Sequence, residues 1–124
     1  LQRRFFCFFL YISNMEYENF HFKDKDVVMS SLSSGEQNKI VSAIVGAING
    51  IEDNVWLEDM CLSYIHHKNY WVAKTALTGL GDIARIYKTL NLQKVHYEIS
   101  QISDEALTSV INDLKADLEI FVKK

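Results

Sequence analysis

The chain contains no proline in 124 residues, and from Asp24 onward its apolar residues recur every three to four positions. Proline interrupts an α-helix because it lacks a backbone N–H and its ring clashes with the preceding turn. A period near 3.6 residues is typical of amphipathic helices, and no segment after residue 24 combines strand alternation with turn chemistry. The pattern therefore predicts an all-α protein.

Six helices are predicted, and several begin at residues that commonly cap helices. Residues 16–22 lack a helical period, and we expect them to form an extended lead-in that packs one or two aromatic side chains. Asp24 or Asp26 and Ser103 are expected N-caps, because their side chains accept hydrogen bonds from free backbone N–H groups. The predicted helices run from Asp24 or Asp26 to Leu32, from Glu36 to Ile48, from Asp53 to His66, from Tyr70 to Lys88, from Asn91 past Ile99, and from Ser103 to Lys124.

Apolar positions in these helices define the expected core. The residues expected to point inward from the first helix are Val27, Val28 and Leu32. The main apolar face of the third helix comprises Leu57, Met60, Cys61, Tyr64 and Ile65. A second strip, Val55 and Leu62, predicts that this helix contacts two neighbours. Gly79 and Gly81 inside the fourth helix cost about 1 kcal/mol each relative to alanine, so we expect a neighbouring helix to approach closely there.

Composition restricts the class of protein. Hydrophobic residues make up 48% and charged residues 23%, which is typical of a globular chain, and the length fits one domain. The net charge of -3 argues against a nucleic-acid ligand, because phosphate binding needs a concentrated basic face. Cys7 and Cys61 do not form a disulfide framework, so we expect a reducing, cytoplasmic location.

The first fourteen residues differ from the rest. Residues 1–14 contain two arginines and no acid, and their apolar run over residues 5–12 is shorter than the about 20 residues that span a bilayer. No small-x-small cleavage site follows, so a signal peptide is not favoured. We expect Met15 to be the natural start and residues 1–14 an upstream extension, with a membrane-associated or partner-binding tail as the alternative. The predicted domain, residues 15–124, is acidic, with 16 acidic and 11 basic residues.

An offset of 34 residues relates two pairs of predicted helices. The apolar positions Ala73, Ala76, Leu77, Leu80, Ala84 and Tyr87 align with Leu107, Val110, Ile111, Leu114, Leu118 and Phe121. In the shorter preceding helices, Cys61 aligns with Val95 and Ile65 aligns with Ile99. Repeated helical hairpins bury their apolar faces by stacking on one another, as in helical solenoids.

The stretch from Trp56 to Arg85 resembles the HEAT-like repeat of small bacterial proteins. The positions that match the second helix of that repeat are Val72, Ala76, Leu80 and Gly81. The chain departs from the pattern at Ala73, where arginine is usual, and at residues 66–68, where a proline-containing turn is common. The resemblance implies stacked helical hairpins in a short HEAT-like solenoid, and protein binding without catalytic residues. Small proteins of this kind include stand-alone binding modules and immunity proteins encoded beside bacterial toxins.

No set of residues predicts catalysis or a metal site. Two ligands on one helix need a spacing of three or four residues, whereas Cys61 and His66 are five apart and His66 and His67 are adjacent. Cys61 lies on the predicted buried face, where a cysteine acts as a small hydrophobe. Gly79 and Gly81 lie inside a helix without a preceding strand, so they do not form a phosphate-binding loop. We therefore predict no enzyme activity, no cofactor and no bound metal.

Acidic and aromatic residues around the third predicted helix form the candidate partner-binding site. The seven candidate residues are Glu52, Asp53, Trp56, Glu58, Asp59, Tyr70 and Trp71. Aromatic anchors rimmed by charge are typical of interfaces, and an acidic surface raises the association rate with a basic partner. We expect Glu58 and Asp59 on the exposed side of the helix. The alternative interpretation is that the acids form the solvated face of an ordinary helix.

These observations favour a protein-binding module over an enzyme. The leading hypothesis is an immunity protein that binds and blocks a cognate toxin, such as a basic nuclease. A HEAT-like scaffold or adaptor without a toxin partner is the alternative. An enzyme related to a lyase subunit is a further alternative, and it would need a substrate pocket. We expect a protein partner, with neither nucleic acid nor a membrane as a ligand.

Overall fold

The computed structural model describes residues 21–122, and every regular element among them is helical. The helices are α1 (Lys25–Leu32), α2 (Gln37–Gly50), α3 (Asn54–Leu62), α4 (Tyr70–Tyr87), α5 (Leu92–Ser100) and α6 (Thr108–Phe121), with a 3-10 turn at Glu105–Leu107 before α6. The all-α prediction is confirmed. None of the helices in this part of the chain is both long enough and apolar enough to cross a bilayer.

Side-chain caps determine where several helices begin. The Asp24 carboxylate accepts a hydrogen bond from a backbone N–H in the first turn of α1, and Asp53 accepts one at the start of α3. The amide oxygens of Asn69 and Asn91 do the same for α4 and α5. Each cap satisfies a backbone donor that the helix itself leaves free. Of the two predicted caps for the first helix, Asp24 is the one that caps it, and the helix predicted to open at Asn91 begins there.

Two helix boundaries differ from the prediction by more than two residues. α3 ends at Leu62 and not at His66, because the chain passes into successive turns over residues 63–66. Near the last helix, Asp104 replaces Ser103 as the cap, since its Oδ1 accepts a hydrogen bond from the N–H of Ala106 at 2.9 Å. This cap starts the 3-10 turn that leads directly into α6.

α4 is the centre of the fold because it packs against α2, α3 and α6, whereas α1 packs against α2. Gly79 lies where α2, α3 and α4 meet. A methyl group at Gly79 would lie 2.6 Å from Cδ1 of Ile48 and 2.9 Å from Sγ of Cys61. The close helix approach predicted at this glycine is therefore confirmed, and it explains why a poor helix former lies in the middle of the longest helix.

Two valines predicted to pack against neighbouring elements are exposed. Val27 is 47% exposed and Val55 is 64% exposed, so the predicted inward positions are wrong for both. In α1 only the side that meets α2 is covered, and there Val28 and Leu32 are buried. The second apolar strip of α3 is exposed at Val55, near the start of the helix, and buried at Leu62, where the helix ends.

Several predictions lie outside the described residues: the tail at residues 1–14, the start at Met15, Cys7, and the helix end at residues 123–124. Only the last part of the predicted lead-in is described. There Phe22 is non-helical and partly buried, and its backbone N–H donates to the carbonyl oxygen of Gly46 at 3.0 Å.

Candidate functional site

A groove separates α1 from α3. Nζ of Lys25, in the first turn of α1, lies 2.7 Å from Oδ2 of Asp53, the residue that caps α3, so both helices begin at the same end of the groove. The groove has a volume of about 250 Å³. Its lining consists of Met29, Leu32, Trp56, Asp59, Met60, Ser63 and Tyr64. Trp56 and Asp59 were predicted as site residues, and the fold places them beside apolar side chains from α1.

The groove exists because its two walls pack on different parts of the core. α1 is held against α2, where Val28 is fully buried. α3 is held mainly against α4, and its residues Leu57 and Cys61 are fully buried. Within the part of the chain that the structure describes, α1 and α3 are not among the extensively packed helix pairs. The core thus positions both helices while the space between them stays open.

Apolar side chains make up most of the groove lining. Met29 is 49% exposed, and Trp56 and Tyr64 are half-buried. Leu32 and Met60 are buried at the base. Methionine is unbranched and polarizable, so it adapts to the shape of whatever packs against it. The groove therefore presents apolar surface that a ligand can cover.

Lys25 and Asp53 link the starts of the two helices that form the groove. Asp53 Oδ1 accepts a hydrogen bond from the backbone N–H of Trp56 at 3.1 Å, and Oδ2 accepts one from Lys25. Lys25 Nζ also lies 5.5 Å from the centroid of the Trp56 ring, within cation–π range. The hydrogen bond from Lys25, with that from Trp56, lowers the pKa of Asp53. Asp53, a predicted partner-binding residue, therefore caps α3 and links it to α1.

Glu58 is buried, with 8% of its surface exposed. Its carboxylate oxygens lie 3.3 and 3.4 Å from the backbone nitrogen of Asn91, which donates to them at the start of α5. Burial raises the pKa of Glu58, and the hydrogen bond from Asn91 opposes that shift. The prediction that Glu58 lies on the exposed side of α3 is wrong, because the chain returns after α4 and covers that side.

Asp59 and Glu52, unlike Glu58, are exposed. Asp59 lines the groove, and its Oδ1 lies 3.7 Å from Nζ of Lys94 on α5. Residues 24–32 and 52–63, which form the two walls, contain one basic residue, Lys25. The acidic residues of the same two stretches are Asp24, Asp26, Glu52, Asp53, Glu58 and Asp59. This excess of negative charge favours a positively charged ligand.

Tyr70 and Trp71 form a separate aromatic cluster at the start of α4. Their ring centroids are 4.9 Å apart at an interplanar angle of 78°, an edge-to-face arrangement. Nζ of Lys74 lies 5.8 Å and 5.2 Å from the two centroids. Because α3 and α4 form a hairpin, this cluster lies at the opposite end of the hairpin from Trp56. The predicted site residues thus divide between two locations.

His66 and His67 form hydrogen bonds within the fold, and Cys61 is buried. Burial raises the pKa of the Cys61 thiol, which disfavours the reactive thiolate. His66 Nε2 lies 2.9 Å from Oε1 of Glu98, which connects the turn to α5. His67 Nδ1 accepts a hydrogen bond from the N–H of Asn69 at 3.0 Å. Within residues 21–122, no three His, Cys, Asp or Glu side chains cluster in an arrangement that could hold a metal ion.

The α1 wall of the groove was missing from the predicted site. Lys25, Met29 and Leu32 follow one another at intervals of four and three residues and so share one face of α1. That spacing was a usable signal, but it does not reveal which helix the face meets. No protein-family model, no curated protein and no solved structure matches the chain.

Proposed function

We propose that this protein is a protein-binding module whose partner docks on the surface formed by α1 and α3. The observation that carries the proposal is a groove lined by the exposed parts of Met29 and Trp56 and by Asp59, between two chain segments that contain more acidic than basic residues. Aromatic anchors supply affinity at interfaces, while charges steer and orient the partner. The volume of about 250 Å³ is below the roughly 300–1,000 Å³ of small-molecule sites, which favours side chains of a protein over a metabolite.

Within this class, the proposed function is that of an immunity protein that neutralises a cognate bacterial toxin by covering its active site. Two features support it: the resemblance of residues 56–85 to a HEAT-like repeat, and the acidic walls of the groove. Nucleases bind phosphate through basic surfaces, so an acidic protein complements them and competes with their substrate. The proposal requires no catalytic residue or cofactor in this chain, and it locates the complex in the cytoplasm.

Growth protection tests the immunity proposal. A toxin-domain gene adjacent to the gene for this protein is expressed from an inducible promoter in a sensitive host, with and without this protein. Protection should depend on the amount of this protein, and the two purified chains should form a complex of defined stoichiometry by light scattering. Growth arrest that is unaffected by this protein, with no complex between the two chains, would overturn the proposal.

A scaffold or adaptor role is the second candidate. The Tyr70–Trp71 cluster favours it, because a protein that connects two partners needs two surfaces, and this cluster lies at the opposite end of the α3–α4 hairpin from Trp56. A scaffold should form a complex with its partner but should not protect against a toxin. Retained binding of one partner after Trp71→Ala and of another after Met29→Gln would support this role over immunity.

A further inference from the structure

We infer that the groove between α1 and α3 receives a helix of the partner that is apolar on one face and basic along its edges; the inference rests on the proposed function. The groove follows two helices that start together at the Lys25–Asp53 ion pair. At 1.5 Å per residue, the helical stretch from Trp56 to Leu62 is roughly 9 Å long, or nearly two helical turns. A third helix that lies along it presents residues spaced three, four and seven apart to the same surface.

The apolar contact is centred on Met29 and Trp56. Met29 is 49% exposed and lies in the groove, whereas exposed apolar residues such as Val27 and Val55 do not line it. A leucine- or methionine-sized side chain in the groove would cover Met29 and reach the buried Met60 beneath it. Such burial supplies the affinity, because it removes apolar surface from water on both partners.

The charge of the partner follows from the walls. Asp59 lines the groove, and its exposed ion pair with Lys94 is of the weakly stabilising kind that a partner can replace. Lys25 is already paired with Asp53 and lies over the Trp56 ring. A lysine or arginine on the partner therefore has an acidic group to meet, whereas an acidic helix would meet an excess of like charge. The occupant is accordingly a basic helix.

Synthetic peptides provide the test with the intact protein. The first is a helix of about 18 residues with leucine on one face and lysine elsewhere, a length that supports helicity. The second has the same composition with leucines spread around the helix, and the third replaces lysine with glutamate. Isothermal titration calorimetry should give clearly tighter binding for the first peptide, and amide shifts in the NMR spectrum should centre on Met29, Trp56 and Asp59.

Matched substitutions locate the site. Met29→Gln should weaken binding of the leucine–lysine peptide about tenfold, because it removes the exposed apolar surface. Ile120→Gln, a change of a 69% exposed residue on α6, should have no effect. Asp59→Asn should weaken binding about threefold, less so at high salt, while Asp113→Asn on α6 should not.

Three results would overturn the inference: equal binding of the three peptides, shifts centred outside the groove, or equal effects of Met29→Gln and Ile120→Gln. The growth-protection assay separates this inference from the proposed function. Full protection by both the wild-type chain and Met29→Gln would mean that the toxin binds outside the groove, and the proposed immunity function would still stand. Failure of the wild-type chain to protect, together with tight peptide binding in the groove, would overturn immunity and leave the groove as a helix-binding site.

Discussion

The aromatic ring of Phe22 lies against the backbone of Gly46, so that a methyl group at Gly46 would be 2.5 Å from Cδ2 of the ring. The N–H of Phe22 donates to the carbonyl oxygen of the same glycine at 3.0 Å. One turn further along α2, a methyl group at Gly50 would lie 2.6 Å from the carbonyl oxygen of Phe22. The two glycines thus form a notch in α2 that holds the segment preceding α1.

Gly46→Ala should destabilise the protein by about 1–3 kcal/mol, because the added methyl group forces the Phe22 ring out of the notch. A loss of stability would be evidence for the contact, because alanine favours a helix over glycine by about 1 kcal/mol and would otherwise stabilise α2. Urea denaturation of Gly46→Ala, Phe22→Ala and the double variant measures the coupling. In the Phe22→Ala background, Gly46→Ala should become neutral or stabilising; an equal cost in both backgrounds would exclude this contact.

Glu58→Gln should increase stability at pH 7. The folded-state pKa of Glu58 is raised above the about 4.3 of an exposed glutamate, so its contribution to stability is fully present below that pH and is lost as the pH rises through the folded-state pKa. Glutamine stays neutral and can still accept the hydrogen bond from Asn91. The gain, measured by urea denaturation from pH 4 to 8, should disappear near pH 4.

The control for this experiment is Glu105→Gln, because Glu105 is exposed on the 3-10 turn. That variant should have nearly the stability of the wild-type chain at pH 7. A loss of stability in Glu58→Gln at pH 7 would mean that the charged carboxylate is needed to hold the start of α5, contrary to the expected effect of burial.

Asp53→Ala should destabilise the protein more than Asp53→Asn. Alanine removes both the cap of α3 and the ion pair with Lys25, whereas asparagine caps about as well as aspartate. Because the pKa of Asp53 is lowered, its charged form contributes stability above the usual aspartate pKa, and this is lost as the pH falls through the folded-state pKa. Thermal melts at pH 7 and at low pH check both points; equal melting temperatures for the two variants would rule out a capping role.

Leu80→Ala should cost about 2–5 kcal/mol, the range for truncating a buried leucine, because Leu80 is fully buried in α4. Ile120→Ala on the exposed side of α6 should change stability by about 0.5 kcal/mol or less. Guanidinium denaturation of the two variants makes the comparison. Similar losses would contradict the central position of α4.

The positions of the helices could be predicted because the information is local. Asp24 and Asn91 cap through hydrogen bonds to residues only two or three positions ahead, and the apolar period lies within each segment. The predicted close approach at Gly79 also follows from its own helix, since a glycine there needs a reason to be tolerated. Caps and periodicity therefore predict which elements form.

The candidate site could be predicted only in part, because it depends on which faces become covered. Glu58 has the polar character of a solvated helix face, yet it is buried and accepts a hydrogen bond from Asn91, a residue 33 positions later in the chain. The apolar side chain of Val55 is exposed, because no neighbouring element in the described part of the chain covers it. Met29 became part of the groove through the placement of α1 beside α3. Such pairings are set by tertiary packing, which a period along one segment does not encode.

The separate supports of the two groove walls have a mechanical consequence. α1 is anchored on α2 chiefly through Val28 and Leu32, while α3 belongs to the core around α4. Beyond the Lys25–Asp53 ion pair, which holds the two helices together at one end, a tilt of α1 would change the width of the groove without a change in the core around α4. α1 has 8 residues with two of them buried, whereas α4 has 18 residues with twelve buried, so amide hydrogens of α1 should exchange with solvent faster than those of α4. We therefore expect the α1 wall of the groove to be the more flexible one and the α3 wall to be the more rigid one.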